Sequence, residues 1–273
     1  MTSAVPAWAL ATALGLVALL GGGILALGHR ARQLERLLGA TRGKLEEVQG
    51  QFEQFVPRDV VEQLTGRLGA FAPQRRVVTM LFADLRGFTA LCDRLDPAVT
   101  VGILNEYFRR MNAVILRHHG HTNELVGDGL LALFGALETN PWQGRDSVLA
   151  ALEMRAELAR YNDELREKEL PELRFGIGIH AGEVVAGVMG AGSLNKFSVT
   201  GDPINVASRV EGLTSVHKVD LLVTEEIRGT LDDHFVLRAM PPTAVKGKPE
   251  PIVTYFVAGV EERESARAAT AST

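Results

Sequence analysis

The chain holds a single cysteine, Cys92, among 273 residues. One thiol excludes a disulfide framework and any zinc site built on cysteines, and it fits a reducing compartment. Positive charge is not in excess: 29 Lys and Arg stand against 33 Asp and Glu, a formal charge of −4. With the two signs interspersed there is no electrostatic footprint for nucleic acid. Aromatic residues are few, at 6%, and the 28 Gly and 11 Pro follow no period, so the chain is neither collagen-like nor low-complexity.

One further absence is local. Residues 1–28 contain no Asp, Glu, Lys, Arg or His. All charge therefore lies in the rest of the chain, where the charged fraction is about 25%, ordinary for a soluble domain. The apolar run of residues 7–28 is long enough, at ~1.5 Å per residue, to cross a hydrocarbon core of roughly 30 Å. His29, Arg30, Arg32, Arg36 and Arg42 follow it, and no Lys or Arg precedes it. The positive-inside rule then places the body in the cytoplasm, as a single-pass protein of the inner (cytoplasmic) membrane. A cleaved secretory signal would need a basic leading segment and a shorter apolar core. Behind the run, Leu34, Leu38, Thr41, Leu45, Val48, Phe52 and Phe55 are spaced alternately by four and three, the period of a two-stranded seam. This heptad segment reads as a weak dimerisation element or as an amphipathic linker. The resulting organisation is an anchor (1–28), a helical linker (29–56), a lead-in (57–76), a catalytic body (77–258) and a polar, Ala-rich tail (259–273).

Within the body, residues 77–84 read as a buried strand and 97–118 as a helix with Val101, Leu104, Phe108, Met111 and Ile115 on its apolar face. Residues 123–126 and 130–134 flank Gly127-Asp128-Gly129, a strong hairpin signal. A helix spans about 145–168, and 174–180 and 183–189 read as strand, turn and strand. Residues 197–199 form a strand that leads into a loop at Gly201-Asp202-Pro203 and a helix through about Leu213. Residues 221–224, 235–237 and 253–257 complete the strands. Helices alternating with paired strands predict an α+β fold with a mostly antiparallel sheet.

Four clusters carry chemistry. Asp84 ends a buried strand and offers a hard oxygen ligand for Mg²⁺ or Mn²⁺, or alternatively caps a helix. The amides of Arg86, Gly87, Phe88 and Thr89 lie at the following helix start, where phosphate is stabilised. Asp128 at the hairpin tip can join Asp84 around a metal pair, although a carboxylate in a tight turn is often turn chemistry alone. Asn205 and Arg209, four apart on one helical face, suit an orienting hydrogen bond and charge stabilisation at a phosphoryl group. Lys246 and Lys248, on a Gly-containing turn, can reach phosphates or remain solvated surface.

Asp84-x-x-Gly87-Phe88-Thr89, Gly127-Asp128-Gly129, Gly201-Asp202-x-x-Asn205-x-Ala207-x-Arg209 and Val245-Lys246-Gly247-Lys248 occur in that order. Together they resemble the class III adenylyl/guanylyl cyclase catalytic domain. The resemblance implies a ferredoxin-like sheet with flanking helices and a head-to-tail homodimer with active sites at its interface. It also implies two ions, Mg²⁺ or Mn²⁺, on Asp84, Asp128 and the Leu85 carbonyl, with Asn205 and Arg209 supplied by the other subunit and a loop lysine on the phosphates. The implied reaction converts GTP or ATP to its 3′,5′-cyclic monophosphate and pyrophosphate. The family reads the base at the positions of Glu124 and Ser198. A carboxylate at Glu124 can accept guanine N1–H and N2–H, whereas adenine N1 is itself an acceptor; Ser198 suits either base. This favours GTP over ATP. The other class of reading is a regulatory module that binds a nucleotide without turnover.

Overall fold

The computed structural model describes residues 73–189, 196–245 and 250–261. The expected anchor, the heptad segment, most of the lead-in and tail, and both Lys246 and Lys248 lie outside the described residues.

Among the described residues eight strands form one sheet in the order β2-β3-β1-β4-β6-β8-β7, with β5 pairing β4 off that path. They are β1 (Gln74–Leu85), β2 (Gly120–Val126), β3 (Gly129–Phe134), β4 (Phe175–Met189), β5 (Lys196–Thr200), β6 (Leu221–Thr224), β7 (Phe235–Ala239) and β8 (Thr254–Val260). Every pairing is antiparallel except β4 with β6, so the mostly antiparallel α+β expectation holds. Strand β1 begins at Gln74, three residues before the expected start. Its apolar run is continuous because both faces are covered. Leu81, Ala83 and Leu85 enter one core and Val78 and Met80 the other.

Five helices accompany the sheet among the described residues: α1 (Phe88–Cys92), α2 (Pro97–Arg117), α3 (Gln143–Glu167), α4 (Asp202–His217) and α5 (Glu225–Arg228). Helix α2 starts where Asp96 accepts from the amides of Ala98 and Val99, at 2.8 and 3.4 Å, with Pro97 in the first turn. Its buried stripe is not quite the expected one. Val101 is 56% exposed, while Ile103, Tyr107, Met111, Val114 and Ile115 are buried. Leu104 and Phe108 flank that stripe. The small rotation matters, because it turns Tyr107 into the core.

Strand β4 runs unbroken for 15 residues, not as the expected strand, turn and strand. Gly176, Gly178 and Gly182 face α4, and their missing side chains let that helix lie against the strand. A Cβ at Gly178 would stand 2.1 Å from the backbone nitrogen of Glu211, and one at Gly182 would stand 2.6 Å from Pro203 Cγ. Gly182 therefore accommodates a helix rather than a turn.

Candidate active site

Strands β1 and β3 pair with Ala83 opposite Leu130, which brings the β2–β3 tip against the end of β1. Gly127 turns that tip with φ +62°, a conformation that suits glycine. Gly129 is confined: a Cβ there would stand 2.8 Å from Asp84 Oδ1. Asp84 and Asp128 are thus brought together. Partial burial raises the Asp84 pKa, the charge of Asp128 raises it further, and a hydrogen bond from the Leu85 amide opposes both. Two mutually repelling hard-oxygen donors fit a divalent cation. Among the described residues no three His, Cys, Asp or Glu side chains converge on one ion, so other oxygens must complete any coordination shell.

The loop after Asp84 departs from expectation at Arg86. Its amide donates to the Arg174 carbonyl at 2.7 Å, and its guanidinium Nη2 donates to the Val219 carbonyl. Arg86 therefore ties the end of β1 to the chain beyond α4 rather than offering its amide to phosphate. Gly87, in the left-handed region at φ 67°, leads into α1, where Phe88 is buried and Thr89 exposed.

Helix α4 carries Asn205, exposed, and Arg209, half-buried. Arg209 Nη1 is buried with no hydrogen-bond partner among the described residues. The helix also brings a carboxyl absent from the sequence expectations. Glu211 Oε1 reaches into the space left by Gly176, 2.6 Å from where a Cβ would stand, and Gly176 pairs with Asp84. Burial, with the charges of Asp84 and Asp128, pushes Glu211 up to about 7 against the opposing charge of Arg86. An acid on an amphipathic helix ordinarily reads as solvated surface, so only the glycine gap across the sheet could have flagged it.

The two positions expected to read the base, Glu124 and Ser198, lie on β2 and β5. The β2–β3 register shifts between Thr122 and Glu124. His121 stands opposite Leu133 and Glu124 opposite Leu131, so the bulge turns Glu124 onto the sheet face of His121. Phe82 also pairs with Leu131, which makes this the face of Asp84. Glu124 Oε1 accepts from Lys196 Nζ at 2.9 Å. Ser198, half-buried, lies two residues along β5 opposite Gly187. Lys196 was missed, because one lysine beside a turn-rich stretch carries no local signal. The lysine loop has a described stem, in which Thr243 and Ile252 exchange backbone hydrogen bonds of 3.1 and 2.9 Å and Val245 packs beside α4.

These features are those of a nucleotidyl cyclase catalytic domain. The adenylate and guanylate cyclase catalytic domain model matches residues 71–259, and the chain belongs to that family. The sequence is 32% identical over 243 residues to an adenylate cyclase of Anabaena cylindrica, covering 85% of this chain and 47% of the relative. It is 29% identical over 211 residues to adenylate cyclase 1 of Rhizobium meliloti, covering 77% and 32%. The chain thus spans half or less of the length of these curated relatives. Among solved structures, the guanylyl cyclase Cya2 aligns with a TM-score of 0.63 at 33% identity, covering 71% of this chain and 97% of the other. The adenylyl cyclase CyaB from P. aeruginosa aligns at 0.65 and 27%, covering 71% and 98%.

Proposed function

We propose that the chain is a nucleotidyl cyclase that closes a nucleoside triphosphate into its 3′,5′-cyclic monophosphate, working as a homodimer. The observation that carries this reading is the approach of Asp84 and Asp128 at the joined ends of β1 and the β2–β3 hairpin. With the Leu85 carbonyl they would hold two divalent cations, Mg²⁺ or Mn²⁺, which neutralise phosphate charge and activate oxygen. In the reaction the ribose 3′-oxygen bonds to the α-phosphorus, the bond from that phosphorus to the bridging oxygen breaks, and pyrophosphate leaves. The 3′-hydroxyl proton is released.

Asn205 hydrogen-bonds and orients the ribose, and Arg209 stabilises charge gathering on the phosphoryl oxygens. Family resemblance assigns these two to the partner subunit's site, and assigns the β- and γ-phosphates to Lys246 or Lys248. Glu124 accepts guanine N1–H and N2–H while Lys196 donates to O6, an arrangement that favours GTP over ATP. Residues 7–28 anchor the chain in the cytoplasmic membrane with the catalytic body on the cytoplasmic side. Among the described residues no helix is long and apolar enough to cross a membrane; residues 7–28 lie outside them, and the anchor rests on the apolar run and the charges that follow it.

The test is product formation by the full chain with Mn²⁺ and either GTP or ATP in one assay. Cyclic GMP should predominate, and tight nucleotide binding without cyclic product would sink the enzyme reading. Asp84→Ala and Arg209→Ala, each inactive alone, should recover activity when mixed. No recovery in a demonstrated heterodimer would remove the shared site. Membrane-fraction partitioning that is lost on deleting residues 1–28 tests the anchor.

A further inference from the structure

Arg174 stands just ahead of β4. Its carbonyl accepts from the Arg86 amide at 2.7 Å, which carries the β1–β4 ladder one pair past Leu85 and Phe175. Leu85 and Phe175 enter the core with Leu81 and Ala83. Successive strand residues face opposite ways, so Arg174 falls on the other face, that of Gly176 and its partner Asp84. The Arg174 side chain is exposed, and among the described residues its guanidinium has no hydrogen bond or ion pair. Arg86, opposite it, spends Nη2 on the Val219 carbonyl and keeps Nε buried without a partner. Like charges opposite one another on a ladder repel. Neither guanidinium forms an ion pair among the described residues, although Asp84 lies one pair away and Glu211 reaches the gap at Gly176. Two cations held opposite one another without an acid point to an anion from outside the chain.

We propose that Arg174 binds the polyphosphate tail of the nucleotide, contacting the β- and γ-phosphates of the substrate and holding pyrophosphate as it leaves. Arg174 lies about 7 Å along β4 from Gly176, the partner of Asp84. A tail that starts at the acidic pair and runs toward the end of the sheet meets it there. The guanidinium fork gives paired donors to phosphate oxygens, and its charge opposes the negative charge that builds on the departing pyrophosphate. Family resemblance gives the same phosphates to Lys246 or Lys248, whereas Arg174 belongs to the end of the sheet that carries Asp84. The inference rests on reading Asp84 and Asp128 as the reaction site of a cyclase.

The test uses the full chain in Mn²⁺ and compares the natural protein with Arg174→Gln, Arg174→Lys and, as a control for lost charge, Arg145→Gln at the start of α3. Calorimetric titration with pyrophosphate needs no turnover. Arg174→Gln should bind pyrophosphate about tenfold more weakly or worse, the worth of one hydrogen bond to a charged group, and Arg174→Lys should recover part of the loss. KM should rise alike for GTP and ATP, because the contact is remote from the base. Arg174→Gln should melt no lower than the natural chain, since a repelling charge has gone. Pyrophosphate that does not bind the natural chain, binds Arg174→Gln equally well, or is weakened as much by Arg145→Gln overturns the inference. So does a loss of binding that accompanies earlier melting. A natural chain that holds pyrophosphate through Arg174 yet forms no cyclic nucleotide removes the enzyme reading and leaves the contact standing, so the two failures are distinguishable.

Discussion

Glu124 and Lys196 join the edge strand β2 to the off-path strand β5 through a hydrogen bond of 2.9 Å. Both side chains are about half exposed, so the pair contributes little to stability. Under the proposed function its consequence would be for recognition, as a paired acceptor and donor two residues along β5 from the half-buried Ser198. Lys196→Met should lower kcat/KM for GTP by about tenfold or more, the worth of one hydrogen bond to a charged group, and leave ATP much less affected. Lys196→Arg should restore GTP turnover. Equal losses for the two nucleotides would remove Lys196 from base reading.

Partial burial and, after it, repulsion from the neighbouring Asp128 raise the Asp84 pKa. In chelator, Asp84→Asn should therefore raise the melting temperature at neutral pH while reducing cyclase turnover by more than about 100-fold, the scale of a lost metal ligand. A variant that is both inactive and less stable in chelator would contradict the repulsion. Excess Mn²⁺ should stabilise the natural chain and leave Asp84→Asn nearly unchanged.

Glu211 is pushed up to about 7 from an ordinary 4.5. With its folded pKa raised, the folded chain holds a proton that the unfolded chain has released. The associated stability is full below about 4.5, falls as pH rises, and is gone above about 7. In chelator the melting temperature should decline between these limits, and Glu211→Gln should flatten most of that decline. An unaltered slope in Glu211→Gln would assign the dependence to other groups.

Gly178 and Gly102 should respond oppositely to alanine. A Cβ at Gly178 meets the backbone of α4 at 2.1 Å, whereas nothing lies within 4 Å of one at Gly102 in α2. Gly178→Ala should destabilise by about 1–3 kcal/mol or more through overpacking, and reduce turnover by shifting Asn205 and Arg209. Gly102→Ala should stabilise by about 0.4–1 kcal/mol. Denaturant unfolding of both variants measures the difference.

Much of the fold was legible because the signals are local. The helix expected from residue 97 begins there as α2, Gly127-Asp128-Gly129 marked the hairpin, and Leu221–Thr224 appeared with its observed bounds. The turn expected within 181–182 and the rotated stripe of α2 were misread. In both, the deciding partner lies far along the chain: α4 packs against Gly182, and the sheet core receives Tyr107. The helix α5 was not anticipated, since four residues leave no periodicity. At the site, Asp84, Asp128, Asn205 and Arg209 were visible as motif residues, but Arg86 was assigned to phosphate while its amide and guanidinium serve two backbone carbonyls.

The sequence by itself determined the family, most of the order of elements and the motif residues of the acidic pair, because each rests on residue types at short spacing. Tertiary structure decided which groups surround that pair. A bulge between Thr122 and Glu124 turns the Glu124 carboxylate onto the face of Asp84, and glycines on β4 admit Glu211. No spacing encodes these placements. They follow from strand register and from how closely one backbone can approach another, which depend on segments distant in the chain.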